Sequence, residues 1–233
     1  MTSPQDIIRA ALNEGRTTLF EHEAKELVRS SGIMTPKSVV VSPHDHDAIL
    51  AAAEKLGYPV VLKAESPQIL HKTDAGAIML NIASAAGLSA SISTMKNTIA
   101  SRMPGAELRF YFLEKMMPPG LELLIGALRD EQFGPALSFG LGGVWVEALK
   151  DAAFGILPMT RAELLDLIGE TKAGMFLRGF RGSPALDEEA TIAMLNAMAG
   201  LMAMHPGIRE IECNPVRVYA KGAFALDVRV VLG

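Results

Sequence analysis

Cysteine is all but missing from this 233-residue sequence: Cys213 stands alone. That excludes an internal disulfide and any thiolate-built zinc or iron–sulfur cage, and it points to a reducing compartment, so the expected location is the cytoplasm. An excess of positive charge is missing too. Twenty-two Lys and Arg against 26 Asp and Glu give a net charge of -4, so no broad basic surface exists to neutralise a nucleic acid or to dock on anionic lipid. A nucleotide needs only a local cluster. Long apolar runs are also lacking. The stretch 77–95 is rich in serine and 191–208 contains Asn196, His205 and Pro206, so both read as packed core segments rather than membrane spans. The first fifteen residues are amphipathic and acid-bearing, unlike a signal peptide. What is present is a globular mixture, 49% hydrophobic and 21% charged, with 21 Gly and 13 Pro marking many turns between short elements. The length suits one large domain or two small ones.

Apolar spacing predicts helices over 4–14 and 22–31, ending at Gly15 and Gly32. A strand over 38–41, a helix over 45–56, strands over 58–63 and 77–82, and a helix over 85–101 follow. Beyond Glu107 strands dominate, over 108–114, 121–128, 136–139, 144–147 and 154–157, punctuated by PPG, FGP and GLGG turns. Helices over 161–169 and 187–204 precede a closing hairpin of 210–218 with 224–231. The change of character near residue 105 predicts an α+β (α/β) protein of two lobes, with a cleft between them as the natural ligand site. The expected divisions are 1–24, an N-terminal helical segment packing on the second lobe, then 25–105 and 106–233.

The closing hairpin is the most informative segment. A turn near Ala220 and Lys221 sets Asn214 opposite Asp227 and Glu212 opposite Arg229, while Ile211, Cys213, Leu226 and Val228 point the other way. Cross-strand neighbours about 5 Å apart suit a hard cation that takes its remaining ligands from phosphates, as magnesium does. A solvated hairpin face has the same pattern. Lys63 ends the buried-looking run Pro59–Leu62 and must emerge either into solvent or at an anion. His71 lies in a polar loop, Ser66–Gly76, between two apolar strands. An imidazole there can act as a nucleophile, with Lys72 beside it to steady a phosphoryl group, or can merely hydrogen-bond within the loop. Gly142 and Gly143 allow either close backbone approach to a phosphate or a tight turn between strands. His44–Asp47 reads as helix capping rather than a metal site.

Taken in order, several segments resemble one family across nearly the whole chain: EHEAKELV with GIMTPKS, GYPVVLKAESPQILHKTDAG, MPPGLELLIG, RDEQFGPALSFGLGGVWVEALKD, FLRGFRG, and EIECNPVRVY with ALDVRVVL. The sequence is similar to the beta, nucleotide-binding subunit of ADP-forming acyl-CoA synthetases of the acetate–CoA ligase type, ATP-grasp relatives of succinyl-CoA synthetase. The resemblance implies an ATP-grasp fold of two lobes with the nucleotide between them, and an acid–thiol ligase active only with a CoA-binding alpha subunit in a hetero-oligomer. It implies Mg2+ and ADP or ATP as ligands. By position, Lys63 would bind the nucleotide phosphates, Glu122 the ribose, and Leu113, Glu114 and Lys115 the adenine. Asn214 and Asp227 would hold magnesium, with Glu212, Gly142, Gly143 and Arg181 as accessories. His71 would accept a phosphoryl group from a phosphohistidine loop of the alpha subunit and hand it to ADP. The sequence departs from the family pattern at Ala77, where a second glycine is usual, at Glu212-Cys213 in place of Asp-Ile, and at Glu114-Lys115, which leaves base preference open. An ATP-grasp ligase without a phosphohistidine and a non-catalytic nucleotide-sensing subunit remain the alternatives.

Overall fold

The computed structural model describes residues 3–69 and 72–233, so His71, the expected relay residue, lies outside the described residues together with Leu70. The chain runs α1 (Pro4–Asn13), α2 (Glu21–Ser30), β1 (Ser38–Val41), α3 (His46–Leu56), β2 (Val60–Glu65), α4 (Lys72–Ala75), β3 (Ile78–Ile82), α5 (Ala85–Arg102), β4 (Phe110–Lys115), β5 (Leu121–Asp130) and β6 (Gly134–Leu141). It continues through α6 (Trp145–Leu149), β7 (Ala152–Ile156), α7 (Arg161–Gly169), α8 (Lys172–Leu177), α9 (Glu188–Met204), β8 (Ile208–Val218), β9 (Ala223–Ala225) and β10 (Val228–Leu232). It divides into two compact units, residues 36–118 and residues 1–35 with 119–233.

The 36–118 unit is a four-stranded sheet in the order β1-β4-β2-β3, paired antiparallel. Alternation sends Val60, Leu62, Ala64, Tyr111 and Leu113 into one apolar core with Ile49, Ala53, Leu88, Ile92 and Met95 from α3 and α5. The helices begin where side-chain oxygens accept the first orphan amides: Asp45 from Ala48 and Ser84 from Gly87. His44–Asp47 is therefore a helix entrance, with His46 Nε2 3.2 Å from Ser89 Oγ.

The second unit carries the six-stranded sheet β10-β8-β5-β6-β7, with β9 pairing to β8. Leu123, Ile125, Ala127, Leu137, Phe139, Ile211, Cys213, Val228 and Val230 form one face, packed with apolar residues of α2, α7, α8 and α9. The methionine-rich α9 contributes Met194, Met198 and Met202 to this core. Burial of so many large side chains, each contributing about 1.5–3 kcal/mol, fixes which face of the sheet is left for polar groups.

Four local expectations change. The boundary after the small sheet falls at 118/119 instead of near residue 105, because β4 inserts between β1 and β2 as that sheet's interior strand. Residues 25–35 belong with the large sheet, because α2 packs on β10 and Ala225 N–H donates to Met34 O at 2.9 Å. The stretch 144–147, rich in strand-forming residues, is the N-cap and first three residues of the five-residue helix α6, because β6 ends at Leu141 and the two glycines after it turn the chain out of the sheet. The last expected strand is two strands, β9 and β10, parted at Leu226-Asp227. Two short helices, α4 and α8, carry no amphipathic pattern long enough to be read from sequence.

Candidate functional site

The predicted hairpin register is the observed one. Cys213 pairs with Val228, Glu212 with Arg229 and Ile211 with Val230, while Val216 pairs with Ala225 and Arg217 with Phe224. Between these ladders the Asn214 N–H donates to Asp227 O at 3.2 Å, and the Leu226 N–H to Pro215 O at 2.9 Å. The sequence reading missed a register shift where β8 meets β5: Leu123 pairs with Val216 but Ile125 with Cys213. Asn214 and Pro215 together face the single residue Leu124, a bulge that resets the alternation. Ile211 and Cys213 are buried before it and Val216 and Val218 after it, so Glu212, Asn214 and Arg217 all lie on the sheet face turned away from the helices. The opposed break at Leu226-Asp227 gives the partner strand the same change of phase.

Hydrogen bonds tie that face together. Gly143 N–H donates to Asn214 Oδ1 at 2.9 Å, and Gly142 N–H to Glu122 O at 2.9 Å. Arg217 Nη2 donates to Glu122 Oε1 at 2.5 Å across the β5–β8 ladder. The glycine amides are thus bonded to protein acceptors, the Asn214 side chain and the Glu122 backbone. Gly142 is required by space and Gly143 by its backbone conformation. A Cβ at Gly143 would stand 2.1 Å from Glu122 Oε2, at a φ of +62°, and one at Gly142 would stand 2.4 Å from the Leu123 backbone. The expected strand after these glycines is a helix, so the loop turns away as soon as its two amides are placed.

Electrostatics mark the same spot. Burial pushes the Glu212 carboxyl above the usual glutamate range; a hydrogen bond from Asn214 and the nearby Arg229 pull it down, while Glu210 and Asp227 push it further up. The carboxylates beside Glu212 make a locally negative field, and all the candidate ligand atoms are oxygens. That chemistry fits a hard divalent cation such as magnesium, with Asn214 and Asp227 as its side-chain donors. Among the described residues, no three His, Cys, Asp or Glu side chains converge as a complete metal cage.

In the 36–118 unit, Lys63 is 3% exposed and its Nζ lies 2.8 Å from Glu114 Oε2, itself on a residue 2% exposed. The lysine therefore does not emerge into solvent. Val61 is the direct partner of Glu114, so Lys63 and Glu114 meet diagonally on one face, and Glu65 follows on that face with Lys72 Nζ 3.2 Å away. Leu113 is fully buried, and both it and Glu114 are flanked by β1 and β2, so their backbone groups are used within the sheet. Lys115 Nζ donates to Gly57 O at 2.7 Å and Tyr58 O at 2.9 Å, tying the end of β4 to the start of β2. Arg181, at a φ of +49°, lies on the exposed loop after α8 with its guanidinium 5.4 Å from the Phe180 ring centroid. Arg217, the partner of Glu122, escaped the sequence reading; its signal is the bulge, and Pro215 beside Asn214 was the available hint.

Residues 10–232 match the family model described as an ATP-grasp domain. The chain is 40% identical over 229 residues to the acetate–CoA ligase [ADP-forming] II subunit beta of Pyrococcus furiosus, a match covering 97% of this chain and 96% of that one. Two solved structures of the dinucleotide forming acetyl-coenzyme A synthetase 1 of Ca. Korarchaeum cryptofilum are similar to it, each over 99% of this chain and 100% of that one. One, in complex with coenzyme A, Ca-AMPCP and HgCl+, superposes with a TM-score of 0.94 at 35% identity. The other is in complex with coenzyme A and Mg-AMPPCP, with its phosphohistidine segment pointing towards the nucleotide binding site, and superposes with a TM-score of 0.85 at 34% identity. This chain is thus a member of the ATP-grasp family, among the beta subunits of ADP-forming acetate–CoA ligases.

Proposed function

We propose that this chain is the nucleotide-binding subunit of an ADP-forming acyl-CoA synthetase, carrying a phosphoryl group between ADP or ATP and a CoA-binding alpha subunit. The overall reaction is acid + CoA + ATP to acyl-CoA + ADP + phosphate, reversible. The single observation that carries this reading is the hydrogen-bonded face of Glu122, Gly143 and Asn214, with Asp227 opposite Asn214 in the hairpin. Magnesium, when bound, supplies charge neutralisation on the phosphates and a fixed frame for them.

The chain's own residues do the rest. Asn214 and Asp227 offer two oxygens from adjacent strands, and the Gly143 amide keeps the Asn214 carbonyl from rotating away. Glu122, steadied by Arg217, accepts hydrogen bonds from a ribose. Lys63, held straight by Glu114, presents an ammonium to phosphate oxygens, and the end of β4 at Leu113–Lys115 passes the base. His71 takes the phosphoryl group: its ring nitrogen forms the N–P bond as the donor's bond to phosphorus breaks. In the second half, a terminal oxygen of ADP attacks, the N–P bond breaks and the imidazole is regenerated neutral. Such an intermediate needs protection from water.

A working hetero-oligomer with the alpha subunit, in a reducing cytoplasm, follows from this reading. The purified chain combined with its CoA-binding partner, ATP, magnesium, CoA and a panel of short-chain acids is expected to release ADP and phosphate in step with acyl-CoA. If the pair binds Mg-ATP and assembles, yet no acid yields acyl-CoA, the ligase reading is overturned in favour of a nucleotide-sensing subunit.

A further inference from the structure

The other buried lysine among the described residues has no part in the scheme above. Lys25 is fully buried on α2; its Nζ lies 3.0 Å from Glu21 Oε1, on a residue 2% exposed, and donates to Leu226 O at 2.7 Å. Glu21, Lys25 and Val28 fall on one stripe of the helix, which packs on β10. Two charges sealed in a core are poor stabilisers: an apolar pair of the same volume often does as well or better, and in some proteins a buried ion pair serves to enforce a position. The position here is specific. Leu226 is the residue before Asp227, and Leu226-Asp227 is the break between β9 and β10, where regular ladder pairing stops. Its neighbour Ala225 is tied by its N–H to Met34 O, just after the same helix. The turn bearing one proposed metal ligand is thus held from behind by α2, while the other, Asn214, is held from the front by Gly143.

From this we infer that Lys25 is a positioning residue for divalent-cation binding: its ammonium, neutralised by Glu21, fixes the Leu226 carbonyl and thereby the placement of Asp227 opposite Asn214. The inference rests on the reading of Asn214 and Asp227 as the cation donors. An ammonium is suited to this because it donates in three directions from a compact head, so it serves the carboxylate and the carbonyl together. A neutral helix residue would fill the space and take the ammonium's hydrogen bond away from the carbonyl.

The test measures Mn2+ binding to the full chain in the presence of ADP by electron paramagnetic resonance, beside thermal melts and metal-free ADP affinity. Lys25→Met strands a buried carboxylate and is expected to lower Tm. The double variant Glu21→Gln with Lys25→Met removes that charge and is expected to regain most of the Tm, yet to bind Mn2+ about tenfold more weakly, with metal-free ADP affinity within about twofold of the wild type. Glu21→Gln alone keeps the donor to Leu226 and is expected to hold Mn2+ within about threefold of the wild type. Recovery of Mn2+ affinity together with Tm in the double variant, or a tenfold loss in Glu21→Gln alone, would overturn the inference. Asp227→Asn separates the two levels. If it leaves Mn2+ affinity unchanged, the ligand assignment itself fails. If it weakens Mn2+ and the double variant does not, the inference about Lys25 fails by itself.

Discussion

The two units of the chain present opposite chemistry on sheets built by the same alternation rule. On the 36–118 sheet the polar face carries ammonium groups, Lys63 and Lys72, each beside a buried carboxylate, Glu114 and Glu65. On the sheet of residues 119–233 the polar face carries clustered oxygens, those of Glu210, Glu212, Asn214 and Asp227, among which burial first, and the Glu210 and Asp227 carboxylates after it, push the Glu212 carboxyl up. A phosphate chain bound with a divalent cation needs both characters, a cation for its oxygens and oxygen donors for its metal. The difference teaches that the two sheets offer such a ligand different chemistry. It also separates the roles: losses on the first should be independent of metal, and losses on the second should depend on it.

The strongest way to break this contrast is Asp227→Asn. Replacing one carboxylate ligand is expected to reduce turnover of the assembled enzyme by about 100-fold, within the several kcal/mol that a metal contributes to a phosphoryl-transfer transition state. Excess magnesium should restore part of it, and full activity at ordinary magnesium would refute the assignment. Next in size is Lys63→Met, expected to weaken ADP binding about tenfold whether or not magnesium is present. Because it strands Glu114, it should also cost about 3–5 kcal/mol of stability. Adding Glu114→Gln should recover the stability and not the affinity. Calorimetry with and without magnesium decides this, and a loss seen only with metal would erase the proposed division of labour.

The smallest effect sharpens the comparison by lying outside both sites. Asp187 caps α9, accepting from Gly222 N–H at 2.7 Å and Ala190 N–H at 2.9 Å, and these bonds hold its carboxyl below the usual aspartate range. A carboxylate depressed in the fold adds stability above its unfolded pKa and loses it as pH falls through the lower folded value. Asp187→Ala should therefore cost about 1 kcal/mol at neutral pH, and that difference should shrink in acid. Thermal melts across pH would show it, with metal binding unchanged. A difference that persists into strong acid would contradict the capping role.

Much of this was legible in the sequence because two periodicities carry it. The helices at 4–13, 21–30, 46–56, 85–102, 161–169 and 188–204 lie within a residue or two of the segments that the sequence pattern marks. The hairpin register followed from one turn near Ala220, and it brought Asn214 to Asp227. The long ordered motifs pointed to the family that the comparisons bear out. What stayed hidden is non-local. The bulge at Asn214-Pro215 exists only relative to β5, and β4 joins the first sheet because β1 and β2 receive it, not because of its own composition. The burial of two charges is non-local as well: Lys63 is buried against Glu114, 51 positions further along, and Lys25 is sealed with its ammonium on the Leu226 carbonyl.

The central claim, that this chain relays phosphoryl groups through an imidazole, is tested most directly by incubating the assembled pair with γ-labelled ATP and magnesium and separating the subunits under denaturing conditions. The account expects label on this chain that survives base, is lost in acid, maps to His71 and disappears in His71→Ala. Absence of label on the wild-type chain under conditions where the pair forms acyl-CoA would contradict it.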